Sequence, residues 1–345
     1  MKTFHKIYPI AFIIIFSAFL FYSCDNQINS YKFGNEALTG TYPAESLPGD
    51  SALLFAPGIV STGLYERDMA VSPNGDELFF GVSVSGINTF LQMKKISGQW
   101  QGPFVPSFAK DRKFINYEPA FSPDGKKLYF LTTRPTEGET EQPGFVNQNI
   151  FYVKKTEDGS WSDPIDVGAP INTKDGEFFP SIAKSGNMYF TRSYPKTREN
   201  YVYISKWEDG KFMEPVMLPE SVNKSGSIYN ACIAPDESFL IGCAAGREED
   251  KPANTFYYYI FFNLGNGNWS EAVNPGEKMN LPNARCMSPS VSPDGKYLFF
   301  ASSYSKESNG QELTLEDIYE SYKHPQNGSM DIYWISTDFI KKLQP

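Results

Sequence analysis

The chain has 345 residues, a formal net charge of −9 and an aromatic content of 16%. The negative charge argues against nucleic-acid binding, which requires a positively charged stripe. Three of the four cysteines lie beyond residue 24, and an odd number cannot form a complete disulfide framework.

Residues 1–23 are typical of a signal peptide. Lys2, His5 and Lys6 precede an apolar run over residues 7–21, which is too short for a confident transmembrane span. The sequence around Ser23-Cys24 resembles a bacterial lipobox, so Cys24 is predicted to carry a lipid; ordinary secretion is the alternative. Residues 24–50 are polar and aperiodic and are predicted to form a lipid-anchored tether. We therefore expect an envelope protein anchored to a membrane, facing the periplasm or the cell surface.

One hairpin pattern occurs five times after the tether. Each copy is an apolar strand, a Pro-Asp-Gly-type turn and a second apolar strand, and the turns recur at intervals of 50 to 61 residues. Four-stranded propeller blades have periods of about 40–45 residues, so the excess fits variable loops. Glycine accepts the positive φ of a tight turn, and aspartate caps it. The turn positions are Gly75, Gly125, Gly186, Glu237 and Gly295.

Two further elements complete each unit. A third strand, rich in β-branched and aromatic residues, begins at Asn88, Asn149, Asn200, Asn254 and Asp331. A fourth element ends in an apolar residue followed by Asn172, Asn223 or Asn280, and the copy near Trp100 departs from this ending.

The fifth unit stops at Ile335 before its fourth strand, whereas residues 55–62 have the spacing of a fourth element before Gly75. The sequence thus predicts an all-β propeller over residues 51–345, with an N-terminal strand closing the ring and removing exposed edges. We expect five four-stranded blades, with six as the alternative.

The segments Ser72–Phe80, Ser122–Phe130 and Ser292–Phe300 resemble the WD40-like (PD40) repeats of TolB-like β-propellers. The resemblance extends over nearly the whole chain from about Ser51. TolB-like relatives engage other envelope proteins, so it implies a similar binding or scaffolding role. The repeat family also hosts parts of enzymes, so fold alone does not decide function.

The start of each first strand and the loop between second and third strands open on one face of a propeller, here called the top face. Counting back from the turns brings acids toward this rim, and arginines follow the second strands. They could bind a divalent cation, act as acid and base on a sugar, or form salt bridges that stabilise the ring. The candidate rim residues are Glu66, Asp68, Glu118, Glu177, Asn230, Arg134, Arg192 and Arg247.

Aromatic residues in loops near the same face are candidates for partner contact. They are Tyr65, Tyr117, Phe178, Tyr229 and Tyr304. Cys232 and Cys243 are expected on neighbouring strands but not opposite each other, so buried free thiols are favoured over a bridge.

Catalytic motifs are scarce. Removal of the signal peptide leaves His324 as the single histidine, which disfavours a Ser-His-Asp triad and a His-rich zinc site. No catalytic residue or cofactor is predicted, although a structural or ligand-bridging divalent cation remains open. We expect a lipid-anchored, non-catalytic module that binds an envelope protein at its top face. The alternative is a propeller that binds or cleaves a glycan with its rim carboxylates.

Overall fold

The computed structural model describes residues 32–33, 36–224, 227–245, 256–306 and 312–345. They form five antiparallel blades of four strands each, arranged as a propeller. The predicted fold class is confirmed, with five blades rather than six. No helix within the described ranges is long and apolar enough to cross a membrane.

The strands follow the predicted repeats. Strands β1 (Lys32–Phe33) and β2 (Glu36–Ala37) pair with each other, and β3 (Leu53–Leu54) follows. The first blade is β4 (Tyr65–Val71), β5 (Glu77–Val84), β6 (Ile87–Ile96) and β7 (Gln99–Phe104). The second is β8 (Asn116–Phe121), β9 (Lys127–Thr132), β10 (Asn149–Lys154) and β11 (Ile165–Asp166).

The third blade is β12 (Gly176–Ile182), β13 (Met188–Tyr194), β14 (Glu199–Ser205) and, after the short hairpin β15 (Trp207–Glu208) and β16 (Lys211–Phe212), β17 (Val216–Met217). The fourth is β18 (Ile228–Ile233), β19 (Phe239–Ala245), β20 (Phe256–Gly265) and β21 (Asn268–Trp269). The fifth is β22 (Cys286–Val291), β23 (Tyr297–Ser302), β24 (Asp331–Ser336) and β3.

The N-terminal strand β3 closes the ring. Leu53 and Leu54 pair antiparallel with Trp334 and Tyr333 of β24, and the Phe55 N–H donates to the Ile332 carbonyl at 2.8 Å. The fifth blade therefore joins both ends of the propeller, as the sequence predicted.

The hairpin turns show why their residues recur. Gly75 has φ +72°, and its N–H donates to the Ser72 carbonyl at 2.9 Å. The hydroxyl of Ser72 accepts hydrogen bonds from the N–H groups of Asp76 and Glu77. In the fourth copy the non-glycine residue Glu237 adopts the same left-handed conformation, with φ +61°.

The side chains of the repeated asparagines form hydrogen bonds to the backbone of the third strands. The Asn172 side chain accepts from the Ile150 N–H and donates to the Ile150 carbonyl, both at 2.9 Å. Asn223 does the same at Val202, and Asn280 at Tyr258. At the ring closure the hydroxyl of Ser61 makes the equivalent pair of bonds to Ile332. Each side chain thereby bonds a third-strand N–H that the short fourth strand leaves without a partner.

Aromatic side chains fill the space between blades. Phe55 packs edge-on against Phe299 and Trp334, with ring centroids 5.1 Å apart in each case. Tyr42 joins this cluster and is buried, as is Leu38. Part of the segment predicted as a tether thus packs on the ring, because its two large apolar side chains fit beside the closing blade.

The described helices are short. They are α1 (Glu220–Asn223), α2 (Leu315–Lys323), α3 (Asp338–Lys341) and two 3₁₀ turns at Ser107–Ala109 and Gly276–Lys278. Helix α2 lies in the connection between β23 and β24, and Thr314 and Asp317 form a capping box at its start.

Helix α2 ends beside the start of the first blade. A Cβ atom on Gly63 would lie 2.0 Å from the Tyr322 carbonyl oxygen, so the two backbones are in direct contact. The Asn327 side chain also donates to the Gly63 carbonyl at 3.2 Å. These contacts fix α2 on the top face.

Candidate functional site

The first strand of each blade carries the same bulge. The register shifts at one point in β4, β8, β12, β18 and β22, and the residue there has φ between +49° and +63°. None of the five is glycine: they are Asp68, Glu118, Phe179, Asn230 and Ser288. Four of them help to line a central cavity of about 340 Å³, whose other walls include several prolines of the inner strands and turns.

Arg67 binds the acids of two blades. Its Nε donates to Asp68 and its Nη2 to Glu118, both at 2.8 Å, and the guanidinium lies 4.7 Å from the centre of the Tyr117 ring. Burial alone would lower the pKa of Arg67, but the two carboxylates raise it, so the arginine stays charged. Burial raises the pKa of Glu118, and the charge of Arg67 opposes that rise.

The same two carboxylates connect neighbouring blades through the bulges. Asp68 accepts a hydrogen bond from the Glu118 N–H at 3.2 Å, and Glu118 accepts one from the Phe179 N–H at 2.7 Å. On the other side of the channel, Asn230 donates to the Ser288 hydroxyl at 3.2 Å. Asp68 and Glu118 therefore hold three blades together.

Glu177 is a structural acid. Its carboxylate binds Arg192 at 2.8 Å and accepts hydrogen bonds from the Thr173 N–H and hydroxyl. Arg192 also donates a hydrogen bond to the Ile171 carbonyl, and its guanidinium stacks over the Tyr203 ring. Burial raises the pKa of Glu177, and the bonds from Thr173 and Arg192 act against that rise.

Within the described residues, Arg134 forms no hydrogen bond or ion pair with a rim acid. It donates to Asn116, Thr132 and the Phe108 carbonyl, and its guanidinium stacks 4.6 Å from the Phe114 ring centre. Arg247 and Cys24 lie outside the described residues.

Glu66 stands apart from the other acids. Its Oε1 accepts a hydrogen bond from the Thr62 hydroxyl, but its Oε2 has no hydrogen-bond partner among the described residues. Asp331, at the start of β24, resembles it: Oδ2 accepts from the Gln326 N–H at 2.7 Å, and Oδ1 has no described partner. Burial raises the pKa of both to about 7, and the Asp331 charge contributes at Glu66.

Asp331 was predicted as the start of a third strand but not as a site residue. The available signal was that Asp331 stands where the second blade has the neutral Asn149. An acid in that position keeps the shape of asparagine and adds a negative charge.

The predicted aromatic rim is partly packed. Tyr117 is buried, donates to Asn88 at 2.7 Å and stacks on Phe145 at 6.2 Å. Tyr229 packs edge-on against Phe256 at 5.2 Å. The large apolar side chains that the top face exposes instead include Phe145, Phe256 and those of α2.

In the part of the chain that the structure describes, no group of three or more His, Cys, Asp or Glu side chains could hold a metal ion. Cys232, Cys243 and Cys286 are buried and free. In the strand register Cys232 pairs with Ile241 and Cys243 with Tyr229, so the two thiols are not opposite each other.

No family model matches the chain, and no curated protein is similar to it. Among solved structures, TolB from Acinetobacter baumannii is 12% identical, with a TM-score of 0.44 over 79% of this chain and 54% of that one. A sucrose-6-phosphate hydrolase from Lactobacillus gasseri is 14% identical, with a TM-score of 0.46 over 78% of this chain and 57% of that one. A GH62 hydrolase in complex with xylotriose is 8% identical, with a TM-score of 0.45 over 84% and 98%.

The chain thus spans about half the length of the TolB chain. Its assignment as an all-β propeller of five four-stranded blades rests on the strand pairing described above.

Proposed function

We propose that the protein is a non-catalytic, PD40-like binding propeller of the cell envelope, held at a membrane by a lipid on Cys24, and that its top face binds another protein. The observation that carries this proposal is the exposed apolar side of α2. Leu315, Ile318, Tyr319 and Tyr322 follow the spacing of one helical face, and all four are exposed.

An isolated helix of nine residues is marginal in water. The capping box and the contacts at Gly63 nevertheless hold α2 in a fixed place on the top face. Exposed apolar surface of this kind is typical of protein-binding sites. Glu316, Asp317 and Glu320 add negative charge to the same helix, which favours a partner whose apolar groove is bordered by lysine or arginine.

The glycan-cleaving alternative lacks similar support. Glycosidases use one carboxylic acid and one carboxylate beside an open cleft. Asp68 and Glu118 share Arg67, and Glu177 is bound to Arg192. These acids are therefore committed to holding the ring, and acid–base chemistry would require breaking buried ion pairs.

The test is site-specific photo-crosslinking in cells. A photoreactive residue at Ile318 (51% exposed) is compared with one at Leu264 (60% exposed), at the end of β20 on the opposite face. We expect one discrete protein adduct from position 318 and none from 264, and loss of binding by purified Ile318→Ser/Tyr322→Ser protein with an unchanged melting temperature. Identical adducts at both positions, or none from 318, would contradict the proposal. Cys24→Ser should move the protein from the membrane to the soluble fraction.

A further inference from the structure

Two boundaries between blades can be compared residue by residue. Glu66 begins the first blade much as Glu177 begins the third: each accepts a hydrogen bond from a threonine four residues earlier. The N–H of each also donates, at 2.8 Å, to the carbonyl just before a third strand of the preceding blade, Met330 for Glu66 and Gln148 for Glu177. The two acids therefore occupy equivalent places.

Their surroundings differ in charge. Across the hairpin, Glu177 faces Arg192, whereas Glu66 faces Val82. The third strand of the preceding blade begins with the neutral Asn149 near Glu177, but with Asp331 near Glu66. Compared with the boundary at Glu177, the boundary between the fifth and first blades has one more acid and one fewer arginine. We call it the closing seam, defined by Glu66 and Asp331.

Both acids of the closing seam are buried, and each is only partly hydrogen-bonded. Glu66 is 1% exposed and Asp331 is 0% exposed, and one oxygen of each has no hydrogen-bond partner among the described residues. Burying a carboxylate without a partner is costly, because water no longer solvates the charge. Among the described residues, neither acid forms an ion pair like that between Glu177 and Arg192, so protons or a bound cation would balance their charges.

We propose that Glu66 and Asp331 bind a divalent cation at the closing seam. Two carboxylates match the charge of one such ion, and their oxygens are the ligands that hard cations prefer. The Thr62 hydroxyl, bonded to Glu66, supplies a further oxygen. Water or backbone carbonyls would complete the shell. This inference concerns the ring and does not rest on the proposed binding function.

The site has a structural role in this arrangement. It joins the first residues of β4 to the first residue of β24, so the ion would tie the two ends of the ring together. Asp331 also accepts the Gln326 N–H, and the neighbouring Asn327 holds Gly63. A cation bound at the closing seam should therefore also stabilise the segment that carries α2.

The experiment is thermal unfolding of the purified protein after chelation, with and without added Ca²⁺ or Mg²⁺. For the native protein we expect Ca²⁺ to raise Tm by about 5 °C at a concentration about 100 times Kd. Glu66→Gln and Asp331→Asn should abolish that rise. Equilibrium dialysis should find one bound ion per chain in the native protein and none in either variant.

The Tm of each variant in the presence of chelator provides a second test. Asp331→Asn removes an unbalanced charge and introduces the residue that the second blade has at this position, Asn149, so its Tm should exceed that of the chelated native protein. The matched control Glu177→Gln leaves Arg192 buried without its acid, so its Tm should fall and its response to Ca²⁺ should persist.

Each other outcome overturns the proposal. If neither ion raises Tm or binds, the seam is neutralised by protons alone. If Asp331→Asn keeps the full response, the ion binds elsewhere.

Discussion

Arg67 binds two acids that lie on different blades. The carboxylates of Asp68 and Glu118 are buried, and each also accepts a backbone N–H from the next blade. In water such charges would be solvated, but in the channel the guanidinium and the N–H groups replace the solvent. A single side chain thereby makes it possible for three blades to meet around polar atoms.

We expect Arg67→Met to lower the free energy of unfolding by about 3–5 kcal/mol, because it leaves two buried acids without their cation. Urea unfolding followed by tryptophan fluorescence would measure this. Lys296→Met is the control: its ion pair with Asp294 is exposed, so the change should stay within about 0.5 kcal/mol. Adding Asp68→Asn and Glu118→Gln to Arg67→Met should recover much of the loss. An unchanged midpoint for Arg67→Met would show that the ion pairs contribute nothing to stability.

The sequence located Asp68 and Glu118 at equivalent places in their blades, because each lies seven residues before a turn. It did not identify Arg67, since that arginine has no counterpart in the other repeats. Counting residues from a turn predicts where a side chain lies but not which side chain it contacts. The same limit explains Glu66 and Glu177. They have the same register and opposite surroundings, and the difference depends on Val82 and Arg192 across the hairpin.

The fourth strands are short elements supported by side chains. Strand β11 has two residues, and its pairing with β10 is extended by the amide of Asn172, which bonds both backbone groups of Ile150. Asn172 is itself buried. A blade can therefore end its outer strand early and still leave the third strand satisfied.

Asn172→Ala should cost about 1–3 kcal/mol of unfolding free energy, because it leaves the Ile150 N–H unpaired, whereas the Ile150 carbonyl keeps its bond from the Val167 N–H. Asn223→Ala should cost about the same, since its bonds to Val202 are equivalent. Chemical denaturation of each variant is the measurement. The exposed Asn74→Ala serves as the control and should be nearly neutral. Equal stability of all three variants would rule out this role for the repeated asparagines.

The recurrence of an apolar residue followed by asparagine was visible in the sequence, but its purpose was not. Strand propensity describes backbone pairing, and asparagine is depleted in strands. Its role here depends on a side-chain amide imitating a peptide group, which requires the neighbouring strand to be in place. Ser61 shows the same point at the closure, where a hydroxyl replaces the amide.

At the scale of the whole molecule, the five recurring hairpin turns predicted five blades. In the fourth copy Glu237 adopts the conformation of the glycine turns, so a turn without glycine still identified a blade. The exposed face of α2 was less predictable. Its spacing is that of an ordinary amphipathic helix, and only the contacts at Gly63 and Asn327 show that the apolar side points away from the ring.

Removing β3 should open the ring. A chain that begins at residue 56 lacks Leu53, Leu54 and Phe55, so β24 becomes an unpaired edge and the cluster around Trp334 loses an aromatic ring. We expect lower Tm and self-association, because exposed edges pair with other chains. Light scattering after size exclusion would detect it. A chain that begins at residue 38 keeps β3 and should remain monomeric; equal behaviour of the two truncations would show that closure is dispensable.

The closing blade also sets an order for folding. The bonds between Ser61 and Ile332 span 271 residues of sequence, so Ser61 must wait for a partner that is synthesised 271 residues later. Contacts of such separation form slowly because the intervening loop must first be ordered. Blades two to four can assemble during synthesis, while β3 stays without its partner until β24 has been made. The nascent protein therefore carries an unpaired strand during that interval, which is when it most needs protection from aggregation.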